Sequence, residues 1–239
     1  MEPPFYQLLF SELTRGLGLS LSIIIPSAVL GVIIGVLVGT VRGTGYPRFL
    51  VKPLQAYVSL FRGTALVVQL FIVYYGLPNL AIWLKPIFDA HGWPAVYQIL
   101  YLSPYTASVL VFSLCSGAYQ SEYIRGAILS IKRGQFLAAR ALGFSQRQNF
   151  FAIVIPQAIR RAWPGCGNEI IYLIKYSSLA YIITARELTG TAISLSDTFF
   201  RPMEVYFAAG LYYLFLVTLA TWLLHCAEKS FTIPGFGRA

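Results

Sequence analysis

Five long apolar runs leave this chain few ways to fold. A segment must hold roughly 20 apolar residues to cross a bilayer as a helix, and in lipid the backbone must satisfy its own hydrogen bonds. Leu19–Val41 meets that demand with Pro26 inside it. Ala65–Trp83 is interrupted by Gly76 and Pro78, which are expected to end it early. Pro104–Leu129 drifts into polar sequence at Glu122 and Arg125. Ile170–Ile183 is shorter and is extended backwards from about Trp163, while Val205–Leu224 is the cleanest run. The expectation is an all-α membrane protein with about five transmembrane helices, residues 1–239 forming one transmembrane domain. Charged residues make up 11% of the 239, against about 25% in soluble domains.

The cations are unevenly spread. Arg42, Arg48, Lys52 and Arg62 follow the first run. Residues 125–164 carry seven more (Arg125, Lys132, Arg133, Arg140, Arg147, Arg160 and Arg161) and no acid. Lys85 faces Asp89 in the second connection, and Arg186 and Arg201 are balanced by Glu187, Asp197 and Glu204 in the fourth. Basic loops stay in the cytoplasm, so the N-terminus is expected outside and the C-terminus, with Lys229 and Arg238, inside. The net charge of +9 is then directed at the anionic membrane surface rather than at nucleic acid. The stretch Asn79–Ser103, with Trp83, Trp93, Tyr97 and Tyr101, reads as an outer loop with an interfacial aromatic belt. Glu2 and Glu12, without an early basic cluster, argue against a cleaved signal peptide.

Chemistry-bearing clusters are sparse. Cys115, Cys166 and Cys226 are isolated, with Cys115 and Cys226 in apolar runs that suit core positions. His91 and His225 lack metal-ligand neighbours. No GxxxxGK[ST] phosphate loop is present, so any ATP would be used elsewhere.

Within the basic stretch, Ala138, Ala139, Arg140, Ala141 and Leu142 favour helix, and Gly143 suits its left-handed stop. Ser145 opens a capping-box spacing to Gln148, so a second helix starts at about Gln146. Pro156 is tolerated there only as a kink or break. The first helix is about two turns long, and helices under about 12–15 residues are marginal alone. It needs a surface, either its own protein and lipid or a partner, with Leu137, Ala138, Ala141 and Leu142 as one face.

Four segments carry a resemblance. GQFLAARALGFSQRQNFFAIVIPQAIR resembles the "EAA" loop of ABC importer permeases, with Ala138, Ala139, Gly143 and Val154-Ile155-Pro156 at the motif positions. FRGTALVVQLFIVYYGLP (Phe61–Pro78), GAYQSEYIRGAI (Gly117–Ile128) and GNEIIYLIKYSSLAYIITARELTG (Gly167–Gly190) are similar to segments of the polar amino-acid subfamily. The resemblance implies a Type I importer permease in a bacterial inner membrane. Two permease subunits, alike or different, would form the pathway. Two ATPase subunits would use ATP and Mg, an extracytoplasmic solute-binding protein would deliver substrate, and this chain would bind no cofactor. It further implies that the loop at about 130–164 docks on the ATPase through Leu137, Ala138, Ala139, Arg140, Gly143 and Pro156. Leu137 stands where the family carries its glutamate, so the charged contact is either replaced by apolar docking or left weaker here and carried by a second permease subunit. Tyr176 stands where many relatives have aspartate.

For substrate, Glu169 is the leading candidate. A carboxylate at bilayer depth costs at least about 2.5–3.5 kcal/mol and demands a cavity or a cation. Its partner is the amino group or basic side chain of a substrate, or else Arg160 or Arg161. The Asn168–Glu169 pair resembles that of histidine/arginine-type permeases, which implies basic or broadly polar amino acids. Lys175 meets a substrate carboxylate or a carboxylate within a dimer. Gln69 offers an amide to substrate or bonds a neighbouring helix. Glu122 and Arg125 form an i, i+3 ion pair. An ion-driven secondary transporter lacks support because no inverted repeat is visible. A membrane enzyme would need a base or metal ligands beside Glu169. A structural subunit of a heterodimeric permease stays open because of Leu137.

Overall fold

The computed structural model describes residues 5–44, 47–90 and 99–230, with the side chains of Arg133, Lys229 and Ser230 not included. His91, Trp93, Tyr97, Glu2 and Arg238 lie outside the described residues. Within them every element is helical: α1 (Phe5–Gly43), α2 (Arg48–Gly63), α3 (Leu66–Phe71), α4 (Leu77–Ala90), α5 (Pro104–Leu129), α6 (Arg133–Ala141), α7 (Gln146–Asn149), α8 (Ile155–Tyr176), α9 (Leu188–Phe199) and α10 (Pro202–Ser230). Phe5–Gly43, Leu66–Ala90 and Pro202–Glu228 are long and apolar enough to cross a membrane. α5 and α8, with 26 and 22 residues, are about 39 and 33 Å long; α5 buries Ser108, Ser113, Ser116, Gln120 and Ser121, and α8 buries Glu169 but exposes Arg160, Asn168 and Lys175.

Several boundaries differ from the sequence expectations. α1 starts 14 residues before Leu19, because Leu9 and Leu13 are buried against α9 and α10. The connection after the first run is an amphipathic helix, α2, whose Val58 packs against Val38 and Ala118. Asn79–Ala90 is helix rather than loop, with Trp83 exposed on it. Gly76 and Pro78 do not end the second run. A π-helical turn over Ile72–Gly76 joins α3 to α4, and Asn79 Nδ2 donates to Tyr75 O at 3.0 Å. Before Pro156 the helix begun at Gln146 gives way to a second π turn, Phe150–Val154, and α8 follows immediately. In both places the widened turn ends two residues before the proline, whose ring and missing N–H would spoil a regular turn. Gly165 and Gly167 do not loosen α8, which runs unbroken from Ile155 to Tyr176 before 3-10 turns over Ser177–Ile183. Cys226 is exposed rather than core, while Cys115 is buried.

The chain forms two compact units, residues 1–28, 63–113 and 173–217, and residues 29–62, 114–172 and 218–239. α1, α5, α8 and α10 each contribute one stretch to either unit. The first unit is built on Leu9, Leu13, Leu188, Ala192, Val205 and Ala208. In the second, Ile124, Ile128 and Ile131 of α5 and the turn after it meet Val154, Ala158 and Ala162. There the glycines Gly31, Gly35, Gly39 and Gly43 bring α1 against α5. An added Cβ at Gly35 would lie 2.6 Å from Gln120 Cβ.

Candidate functional site

The second unit carries the buried acid that the sequence singles out. Glu169 is 4% exposed. On α8 it continues the face of Ala158, Ala162 and Gly165 that meets α5, where a Cβ on Gly165 would lie 2.8 Å from the Tyr123 ring. Among the described residues no hydrogen bond or close ion pair reaches its carboxylate. Arg161 is not its partner, since that guanidinium donates to Ser130 O and Oγ at 2.9 and 2.8 Å. The cation whose charge reaches Glu169 is Arg62.

Asn168 does not share this surface. Consecutive helical residues point about 100° apart, and Asn168 lines a cavity of about 520 Å³ with Tyr123, Trp163, Thr221, His225 and Glu228. The sequence neighbours therefore serve two different faces of α8. Among the described residues no group of three or more His, Cys, Asp or Glu is placed to hold a metal ion.

Nearby, Glu122 does more than pair with Arg125. Its Oε2 accepts from Arg125 Nε and Nη2 at 3.0 and 2.8 Å, and its Oε1 accepts from Arg42 Nη1 at 2.6 Å. The i, i+3 spacing shows the first contact. The second joins residues 80 apart and depends on how α1 lies along α5.

In the first unit, Gln69 is buried and its Nε2 donates to Thr64 Oγ1 at 2.8 Å, a bond to its own N-terminal turn. Lys175 lines a shallow depression of about 400 Å³ with Ser178, Tyr213, Leu214 and Val217. The structure places Gln69 and Lys175 in the first unit and Asn168 and Glu169 in the second. It adds a group that stands in the sequence only as one of several loop charges. Glu187 is 1% exposed and caps α9, accepting from Thr189 N, Gly190 N, Tyr213 Oη and Ser20 Oγ. An acid two residues before Thr-Gly was the available signal, because a carboxylate there can accept the first free N–H groups of a helix.

The short basic segment folds as its local signals predict. Gly143 takes φ +83. Its N–H bonds Arg140 O and the Phe144 N–H bonds Ala139 O, the paired bonds of a Schellman stop. Ser145 and Gln148 form the reciprocal capping box. α6 rests on its own protein through Ala139, 2% exposed, and half-buried Phe136 against the α5–α8 core. The opposite face, Leu137, Ala138, Arg140, Ala141 and Leu142, is exposed, with Leu142 79% accessible. Pro156 is exposed on the first turn of α8.

Residues 20–232 match the model of a family described as the binding-protein-dependent transport system inner membrane component. The chain belongs to that family. It is the membrane-spanning permease subunit of an ABC transporter, not itself an enzyme, and it works with an ATPase and a binding protein at the inner membrane. The octopine transport system permease protein OccM of Rhizobium radiobacter is 35% identical over 230 residues, 93% of this chain and 90% of the relative. The arginine ABC transporter permease protein ArtM of Escherichia coli K12 is 35% identical over 221 residues, 91% and 93% of the two chains. Among solved structures, an amino acid ABC transporter with histidines superposes with a TM-score of 0.78 at 25% identity, covering 96% of this permease and all of that chain. The MetNI methionine ABC transporter, at 19% identity and a TM-score of 0.73, shares the fold. The permease fold of an ABC importer is therefore the right frame for both the buried acid and the exposed short helix.

Proposed function

We propose that this permease imports polar L-amino acids, favouring those with a cationic group, and that Glu169 is the pathway residue that holds the cation. The observation that carries this is a carboxylate 96% buried at the α5–α8 contact with no close partner. Burial of an unpaired charge is costly, and a substrate cation relieves it. The names of the arginine and cystine relatives support an amino-acid cargo, and the arginine one a basic side chain. Asn168, Lys175 and Gln69 are assigned secondary roles along the pathway. A second permease subunit completes that pathway, with the N-terminus outside and the C-terminus inside.

Glu169→Gln removes the charge and keeps the shape. Proteoliposomes holding the whole transporter and its binding protein are expected to lose uptake of L-arginine and L-lysine by about tenfold or more, equivalent to about 1.4 kcal/mol, while uptake of L-glutamine changes less. Unchanged uptake of every cationic amino acid would falsify the assignment.

The exposed face of α6 is assigned to the ATPase, with Leu137 in place of the family's glutamate, Ala138, Ala139, Arg140 and Gly143 shaping the helix, and Pro156 seating it on α8. Leu137 is 63% exposed, and burying a leucine contributes about 1.5–3 kcal/mol. Leu137→Ala is therefore expected to weaken co-purification of the ATPase and to lower transport-coupled ATP hydrolysis. If both stay at wild-type values, this face is not the docking surface.

A further inference from the structure

Three guanidinium groups stand around Glu122, and two of them hydrogen-bond its carboxylate. Arg42 takes Oε1 at 2.6 Å and Arg125 takes Oε2 at 2.8 Å. Arg62, in the last turn of α2, approaches no closer than 3.9 Å and remains 43% exposed, stacked over the Tyr119 ring at 5.2 Å from its centroid. The two bonded arginines already leave the cluster with a net positive charge. Arg62 adds to it and only shares Glu122 at ion-pair range, with no hydrogen bond to that carboxylate.

The antiparallel register of α5 and α8 decides what stands beside it. Ser130 bonds Arg161, and Tyr123 packs on Gly165. One turn back along α5 from Tyr123 is Tyr119, and one turn on along α8 from Gly165 is Glu169. Residues four apart lie above one another on a helix, so Tyr119 and Glu169 are level. The guanidinium carried by Tyr119 therefore lies at the height of the buried acid, and its charge reaches that acid.

We propose that Arg62 and Glu169 together read the two charged ends of an amino acid, Arg62 holding the substrate carboxylate while Glu169 holds the cationic group. This rests on the pathway role given to Glu169 and adds the residue that distinguishes an amino acid from a simple amine. A planar guanidinium suits a carboxylate because its donors are forked to match the two oxygens.

The test uses the intact permease–ATPase complex in lipid nanodiscs, without the binding protein, titrated calorimetrically with L-arginine and with L-argininamide, which lacks the carboxylate. Wild type is expected to prefer the acid by about tenfold or more. Arg62→Gln is expected to bind the two equally, with affinity for the amide unchanged, and Arg62→Lys to restore part of the preference. Glu169→Gln should weaken both ligands and keep their ratio. A wild type indifferent to the carboxylate, or an Arg62→Gln complex that keeps the wild-type ratio, overturns the assignment of Arg62. If wild type binds neither arginine compound but does bind L-glutamine, the preference for cationic substrates fails on its own. The ratio of L-glutamine to its amide, compared between wild type and Arg62→Gln, then decides the role of Arg62.

Discussion

Gly35→Leu is expected to force α1 off α5 and to lower the thermal stability of the purified protein by roughly 2–12 °C. Even a methyl group at Gly35 meets Gln120 Cβ at 2.6 Å and the Gln120 carbonyl carbon at 3.3 Å. One turn on, a Cβ at Gly39 would lie 2.7 Å from Ser121 O. These neighbours are backbone or the stem of a buried side chain, so no flexible end can swing aside. Overpacking of this kind costs about 1–3 kcal/mol, and at this chain length each kcal/mol moves Tm by roughly 2–4 °C. Gly35→Ala should lose part of that amount. Gly126→Ala, which meets nothing within 4 Å, serves as the control. Thermal unfolding followed by size-exclusion chromatography reads all three, and a Gly35→Leu protein as stable as the control would mean that α1 and α5 are not in this close contact.

The other large effect is expected at Glu187. Its carboxylate accepts from Thr189 N and Gly190 N at 2.9 Å each, from Tyr213 Oη at 3.0 Å and from Ser20 Oγ at 3.3 Å. Ser20 Oγ in turn accepts from Leu188 N at 3.0 Å. One buried acid thus ties α1 and α10 to the start of α9, and among the described residues it forms no salt bridge. Hydrogen bonds, not a cation, satisfy its oxygens. Glu187→Ala strands several buried donors, each costing about 1–3 kcal/mol, and removes the cap of α9. A loss of about 3 kcal/mol or more is expected. Glu187→Gln should fall between, because its amide nitrogen faces donors and cannot accept. Tyr213→Phe, which removes one donor, should cost about 1 kcal/mol. Denaturation of the three variants orders them, and an alanine variant milder than Tyr213→Phe would rule out the acid as the organising group.

Local chemistry makes much of this protein legible in its sequence. The apolar runs announce a helical membrane chain, because lipid leaves the backbone no other partner than itself. The stop at Gly143 and the box from Ser145 to Gln148 can be placed to the residue, since both are closed by bonds within five residues. Glu122 and Arg125 follow from i, i+3 spacing. The four segments that resemble ABC permeases lead to the family.

Prolines mislead for an equally physical reason. Pro78 ends a regular helix when only its own turn is considered, yet it is absorbed by a π turn ending two residues earlier in a helix that continues to Ala90, and a π turn stands in the same place before Pro156. The exposed face of α6 likewise needs tertiary structure. Its sequence offers Leu137 and Leu142 to any surface, and only packing shows that Ala139 and Phe136 take the inner side and leave the leucines outward.

Sequence by itself determined the class, the helix-forming runs, the local caps and stops, and the presence of a costly acid at position 169. Tertiary structure alone decided which partners those groups meet. Glu187 finds Ser20 across 167 residues, Glu122 finds Arg42 across 80, and Arg62 stacks over the ring of Tyr119. The reason is one of range. Bonds within a turn are set by spacing along one helix, whereas bonds between helices depend on register and rotation, which are fixed only when close contacts such as those at Gly35 and Gly165 lock the helices together.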